Sequence, residues 1–364
     1  MRVAIVTESF VPQVNGVTGS VLRVLEHLNR TGHQALVVAP GPGPRRHEGV
    51  PVVRVPSSPM PGYAEQRLAW PAPELAAALR AFRPDVVHLA APAVLGARAA
   101  PLARALGLPV VAVYQTDLPG YAARYGLPAL TRAVWRWVRR VHATATRTLA
   151  PSRHTCQQLL EHGVQRVSRW PRGVDARRFH PDHRDEGLHH RLAPRGEVLV
   201  GYVGRLAVEK ELGLLRAVQH LPGVRLVVVG DGPQRALLRR QLPAARFTGV
   251  LSGSELSATF ASLDLFVHTG RHETFCQAAQ EALASGVPVV APAAGGLLDL
   301  VEPGVNGELF TPGSAGELRH LVAALARDPE RRERMGRAAR AGTAGRDWSS
   351  VGDELLATYR GVLG

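Results

Sequence analysis

The chain has 364 residues, 45% apolar and 20% charged, enough to bury two cores of ordinary size and too apolar for a disordered chain. The net charge is +14, yet Lys210 is the single lysine among 44 basic residues, so the basicity reflects an arginine-biased composition rather than a nucleic-acid footprint. Cys156 and Cys276 stand far apart with no C-x-x-C, which rules out, on sequence grounds, a disulfide framework and a thiolate zinc site. No apolar run reaches about 18 residues, and Met1 leads into a strand pattern rather than a signal peptide. The expectation is a soluble, cytoplasmic protein.

In chain order, apolar runs of the kind that form buried parallel strands lie at Val3–Thr7, Ala35–Ala39, Val52–Val55, Val86–Leu89, Val110–Tyr114 and Thr148–Ala150. Helical patterns separate them, among them Val17–Asn29 closed by Gly32 and Leu95–Leu106 closed by Gly107. The rhythm restarts with Val198–Val203, Arg225–Val229, Arg246–Thr248, Leu265–His268 and Val287–Ala291. Repeated β-α alternation predicts an α/β protein of two doubly wound, Rossmann-like domains facing a cleft. The polar, aperiodic stretch Asp175–Arg195 reads as the linker. The predicted division is residues 1–174, a linker at 175–195, a second domain at 196–347 and a terminal helix at 348–364. That helix carries Trp348, Val351, Leu355, Leu356 and Tyr359 on one face and reads as a cap on the second domain.

G-x-S-x-G, H-E-x-x-H, Walker A, a full G-x-G-x-x-G and the metal-holding Asp-x-Asp are all absent. The strongest local signal is the run from Arg271 to Glu281, which follows the strand Leu265–His268 and opens a helix. Taken singly, Glu273 reads as an acid at a helix start and Glu281 as a surface glutamate about two turns in. Together, before Gly286-Val287-Pro288, they are far more specific.

Here the chain resembles the retaining glycosyltransferases of family 4, which have the GT-B fold. Supporting pieces span nearly the whole chain: Glu8 to Pro12 with Asn15-Gly16-Val17, Arg172-Gly173-Val174-Asp175, Gly204-Arg205 with Glu209-Lys210, and Val229-Gly230-Asp231-Gly232-Pro233. Within the family, Tyr114-Gln115-Thr116-Asp117 and the block from His272 to Glu281 look most like the GDP-mannose-dependent α-mannosyltransferases of actinobacteria, which build mannosylated glycolipids.

The resemblance implies roles. Glu273 would hold the donor hexose, Glu281 the ribose, and the backbone around Phe275, Cys276 and Gln277 the sugar and phosphate. Gly16, bare of a side chain, would let helix N-terminal amides approach a diphosphate, unless it is an ordinary turn glycine, and Gly230 in the strand-end loop would join the donor site. Arg205 and Lys210 would meet the leaving diphosphate. The lone lysine suits a point-charge contact, against the alternative of a solvated surface lysine. Many relatives place a histidine where this chain has Gln115, and glutamine cannot serve as a base, so Gln115 is left as a hydrogen-bonding group near the reacting centre. Asp117 is a candidate for orienting the acceptor or for capping a turn. No metal or other cofactor is expected; the donor is a substrate.

Between Asp117 and Glu161 there is no acidic residue but there are seven arginines, including Arg124 and Arg153. On a helix from about Pro128, the residues Leu130, Val134, Trp137, Val138 and Val141 make one stripe, with Arg132, Arg136, Arg139 and Arg140 opposite and Trp135 at the margin. That face suits anionic lipid headgroups, with a peripheral position on the inner face of the plasma membrane, or simply water. Two other functions stay in view: a UDP-sugar enzyme with a soluble, aminoglycoside-type acceptor, and, remotely, a nucleic-acid binder, against which the Glu273–Glu281 block argues.

Overall fold

The computed structural model describes residues 1–13, 15–60, 63–70, 73–120 and 130–364. The chain forms two compact units, one of Met1–Arg172 with Trp348–Gly364 and the other of Gly173–Asp347.

The first unit is built on β1 (Arg2–Thr7), β2 (Gln34–Pro40), β3 (Arg46–His47), β4 (Val50–Val55), β7 (Val86–Ala90), β8 (Val110–Val113), β9 (Arg147–Ala150) and β10 (Val167–Arg169). Their order is β10-β9-β8-β7-β1-β2-β4-β3, parallel except for the β3–β4 hairpin. A separate antiparallel pair joins β5 (Ser57–Met60) and β6 (Tyr63–Ala69). Val3, Ile5, Val37, Val86 and Val111 are fully buried, as strands covered on both faces require.

The second unit carries β11 (Val198–Val203), β12 (Val224–Val229), β13 (Arg246–Gly249), β14 (Leu265–Val267), β15 (Val289–Pro292) and β16 (Gly307–Phe310). All are parallel, in the order β13-β12-β11-β14-β15-β16. Renumbered along the chain this is 3-2-1-4-5-6, the dinucleotide-fold order, in which ligands settle beyond the carboxyl ends of the two strands where the winding reverses. Those strands are β11 and β14. In the first unit the reversal falls between β1 and β7.

Two expectations need correction. The helix Trp348–Leu363 belongs to the first unit, not the second. Its Val351, Leu355, Leu356 and Tyr359 join the cluster of Val3, Ile5 and Val24. The Tyr359 hydroxyl meets His88 Nδ1 at 2.8 Å, and Trp170 Nε1 donates to the Val351 carbonyl at 2.9 Å. An apolar stripe shows that a helix packs but not on what.

The stretch 175–195 is not a bare linker. It holds the helix Glu186–Leu192, whose first turn is capped by the Asp185 side chain on the Leu188 N–H, and it buries Phe179 and Leu192 in the second unit's core. Its polar residues are the outer face of a packed segment. The chain passes between the units after Arg172 and after Asp347.

Candidate active site

In the second unit the loops leaving β11 and β14 are laced together. The loop after β11 closes in a 3-10 turn at Val208–Lys210, followed by Glu211 in the left-handed region at φ 51°. Thr269 Oγ1 donates to the Lys210 carbonyl at 2.6 Å, and Arg271 Nε donates to both Glu211 oxygens at 2.9 and 3.0 Å. This lacing sets the central contact: Lys210 Nζ lies 2.5 Å from Glu273 Oε1, with His268 Nε2 3.1 Å from the same oxygen.

The three groups set one another's charge. Burial pushes the Lys210 ammonium toward losing its proton, but the Glu273 carboxylate overrides this and holds it above the usual lysine range. Burial pushes the Glu273 carboxyl up, and the opposing pull of Lys210 and His268 takes it well below the usual carboxylate range. His268 is pushed down by burial but raised on balance to about 9 by its Cys276 and Glu273 neighbours. At neutral pH an anion therefore sits between two cations.

Glu273 is not a helix cap. The helix spans Gln277–Ala284, so Glu273 precedes it by a full turn, and Glu281 lies about one turn inside rather than two. Cys276 is the N-cap at φ 79°, Phe275 is buried, and Gln277 Nε2 donates to the Gly173 carbonyl at 3.1 Å. No side chain caps this first turn at Cys276, and its backbone amides carry the positive end of the helix dipole. Gly296 donates its N–H to the Glu273 carbonyl at 2.7 Å, and a Cβ at Gly296 would stand 2.5 Å from Phe275 Cα. Gly230, at φ +127°, approaches Gly204 so closely that a Cβ would lie 2.0 Å from its carbonyl oxygen. Only glycine fits there. Arg205, about one-third exposed, lies 4.0 Å from Glu209.

The first unit gathers a second group. Asn15 caps the helix Gly16–Arg30 by accepting the Val17 and Thr18 N–H groups at 3.0 Å. Buried Arg172 donates to the Gly16 carbonyl at 2.8 Å and to Gln115 Oε1 at 2.7 Å. A guanidinium only donates, so this contact fixes the Gln115 amide with its oxygen toward Arg172. Asp117 Oδ1 accepts the Gly120 N–H at 3.0 Å and so caps a turn. Glu8 is committed to structure: its carboxylate accepts the N–H groups of Ala93, Val94, Leu95 and Gly96 at 2.8–3.1 Å.

The arginine helix runs Thr131–Ala143, and its apolar face differs from the expected one. Trp135 is buried, stacked on His162 at 3.7 Å and on Tyr114 at 6.4 Å. Trp137 is 43% exposed and donates from Nε1 to the Ala93 carbonyl at 3.1 Å, and Leu130 is exposed. Two residues apart on a helix, the tryptophans point to different sides, and the rings of Tyr114 and His162 select Trp135. Arg132, Arg136, Arg139 and Arg140 are all exposed, with Trp137 on their side. Arg124 and Pro128 lie outside the described residues.

Sequence reasoning missed His268, which resembles the last residue of an apolar strand, and Arg172, which resembles part of a turn. The available signals were a histidine just before the Arg271–Glu281 block and an arginine between two predicted units.

Residues 14–178 match Glycosyltransferase Family 4, and residues 186–342 match Glycosyl transferases group 1. Over its full length the chain is 52% identical to a GDP-mannose-dependent alpha-mannosyltransferase of Mycobacterium tuberculosis, covering 97% of that protein. It is 46% identical, again over its full length, to one from Corynebacterium glutamicum, covering 89% of it. Anabaena HepE in complex with UDP superposes with a TM-score of 0.83 at 21% identity, over 99% of this chain and 100% of that one, a likeness that establishes the GT-B fold. With two Rossmann-like sheets, a fixed cation–carboxylate pair at the switch point of the second, and about half of its residues shared with these enzymes from end to end, the chain belongs to glycosyltransferase family 4.

Proposed function

We propose that the protein transfers mannose from GDP-mannose to a hydroxyl acceptor, keeping the α configuration. The observation that carries this reading is the Lys210–Glu273 pair at the carboxyl ends of β11 and β14, in a chain sharing about half its residues with enzymes named for that donor. On this reading Glu273 accepts hydrogen bonds from hexose hydroxyls, and Glu281 from the ribose. Lys210, Arg205, the amides around Cys276 and Gln277 and the loop at Gly230 receive the diphosphate. On the same reading the Gly16 N–H at the helix start of the first unit meets phosphate, Gln115 a substrate hydroxyl, and Asp117 the acceptor.

Chemistry then follows a front-face course. The bond from the anomeric carbon to the phosphate oxygen breaks, and the acceptor oxygen bonds to that carbon from the same side. The acceptor proton passes to the departing phosphate, releasing GDP. The protein orients the reactants and stabilises charge growing on the phosphate. Fixed cations and a helix N-terminus supply that positive charge, so the reaction is proposed to need no added metal.

Ligand-dependent melting tests the donor. Saturation at 100 times Kd adds about 2.7 kcal/mol of stability. GDP-mannose is expected to raise Tm and UDP-sugars to leave it unchanged; the reverse would favour the UDP-sugar reading with a soluble acceptor.

The exposed arginines beside Trp137 support a lipid-linked acceptor reached at an anionic membrane surface, because each arginine near such a surface contributes about 1 kcal/mol. Sedimentation with anionic but not zwitterionic vesicles at low salt, lost on charge reversal of Arg136, Arg139 and Arg140, is the expected result. A protein that stays in solution under those conditions contradicts the membrane reading.

A further inference from the structure

Cys276 and His268 bring to the Lys210–Glu273 pair a chemistry that mannosyl transfer does not use. A ligand atom from each of His268, Glu273 and Cys276 lies within 4.8 Å of the other two, among the described residues. His268 and Cys276 are 2% and 6% exposed, and His268 Nδ1 is buried without a hydrogen-bond partner. The sequence alone argued against a thiolate metal site because its motifs depend on neighbouring cysteines. Here the fold assembles one nitrogen, one oxygen and one sulfur from positions 268, 273 and 276.

We propose that His268, Glu273 and Cys276 form a site for a thiophilic divalent ion, foremost Zn²⁺, whose arrival displaces Lys210 from Glu273 and shuts the donor site. The donor set selects the ion. Nitrogen, carboxylate oxygen and thiolate together suit zinc, whereas magnesium and manganese favour all-oxygen sets. Zinc–ligand bonds of about 2.0–2.3 Å around one centre separate the ligand atoms by roughly 3.5 Å. The trio needs to contract by only about 1 Å, within reach of side-chain rotation.

Glu273 Oε1 already holds a cation, the Lys210 ammonium at 2.5 Å. The entering ion takes the place of that ammonium, which swings toward solvent, and of the protons on the His268 nitrogen and the Cys276 sulfur, which are released. Its fourth position stays open to water or phosphate. Ion binding itself is independent of the donor assignment. Its effect on transfer rests on the proposed roles of Lys210 and Glu273.

The test uses the full chain without an affinity tag and Co²⁺ as a spectroscopic stand-in, with Zn²⁺ in competition. The expected result is one ion per chain with a near-ultraviolet thiolate-to-cobalt band. The band is lost in Cys276→Ser, kept in Cys156→Ser, and bleached by Zn²⁺. His268→Asn weakens Zn²⁺ binding beyond the roughly 10–100-fold that loss of an outer-shell partner costs. Lys210→Met, which lacks the competing ammonium, binds at least as tightly as wild type and keeps the test decisive if a ligand variant folds poorly. Zn²⁺ inhibits transfer in competition with GDP-mannose. A missing thiolate band, or one that survives Cys276→Ser, overturns the site. A thiolate band with undiminished transfer overturns the displacement of Lys210.

Discussion

Replacing Lys210 by alanine is expected to lower the rate of mannosyl transfer by about 10²–10³ while GDP-mannose still binds. Removing one preorganised group that stabilises transition-state charge costs about 3–4 kcal/mol. The negative charge on the phosphate is greatest as the glycosidic bond breaks, so the loss appears in kcat more than in KM. Lys210 is well prepared for this part: Glu273 holds its ammonium, and Thr269 and the Arg271–Glu211 pair fix its backbone. The fold survives the substitution because His268 remains against Glu273. Lys210→Arg is not expected to restore the rate, since a planar fork replaces a compact point charge in a site framed by backbone. A Lys210→Ala enzyme that keeps more than half the wild-type rate would remove Lys210 from the phosphate site.

Glu273→Ala is expected to fail twice. Transfer is lost with the hexose contact, and the second unit is also destabilised, because Lys210 and His268 are left as neighbouring, mostly buried cations with no anion between them. Breaking a buried pair from one side costs about 3–5 kcal/mol. In a unit of this size that corresponds to roughly 6–20 °C in melting temperature. Glu273→Gln, which keeps the shape and a hydrogen-bond acceptor, should lose activity with a smaller thermal penalty. A second unit that melts at the wild-type temperature in Glu273→Ala would show that the charge triad contributes nothing to folding.

This double role marks where sequence reasoning stopped. The Arg271–Glu281 block stood out because two glutamates follow a strand and precede a glycine turn, but its reading as a donor site came from the family resemblance. That Glu273 also holds two cations was not, because Lys210 and His268 come from other stretches and only the order of β11 and β14 brings them together. The central strands were readable because burial on both faces writes them as unbroken apolar runs. Val167–Arg169 and Gly307–Phe310, at the outer ends of their sheets, are short and partly polar, and they escaped. The two tryptophans at positions 135 and 137 were interchanged for a related reason: helical spacing separates two faces, but only the Tyr114 and His162 rings decide which is buried. Arg172 was hidden because its partners, the Gly16 carbonyl and Gln115, are brought together only by the fold.

The most direct test of the account follows labelled mannose from GDP-mannose into a lipid extract in the presence of EDTA, with the product's anomeric configuration read by NMR. The account predicts stoichiometric release of GDP, an α-linked product, and a rate that chelation does not lower and that falls about 10²–10³ in Lys210→Ala. A β-linked product, or transfer abolished by EDTA and restored by manganese, would contradict it.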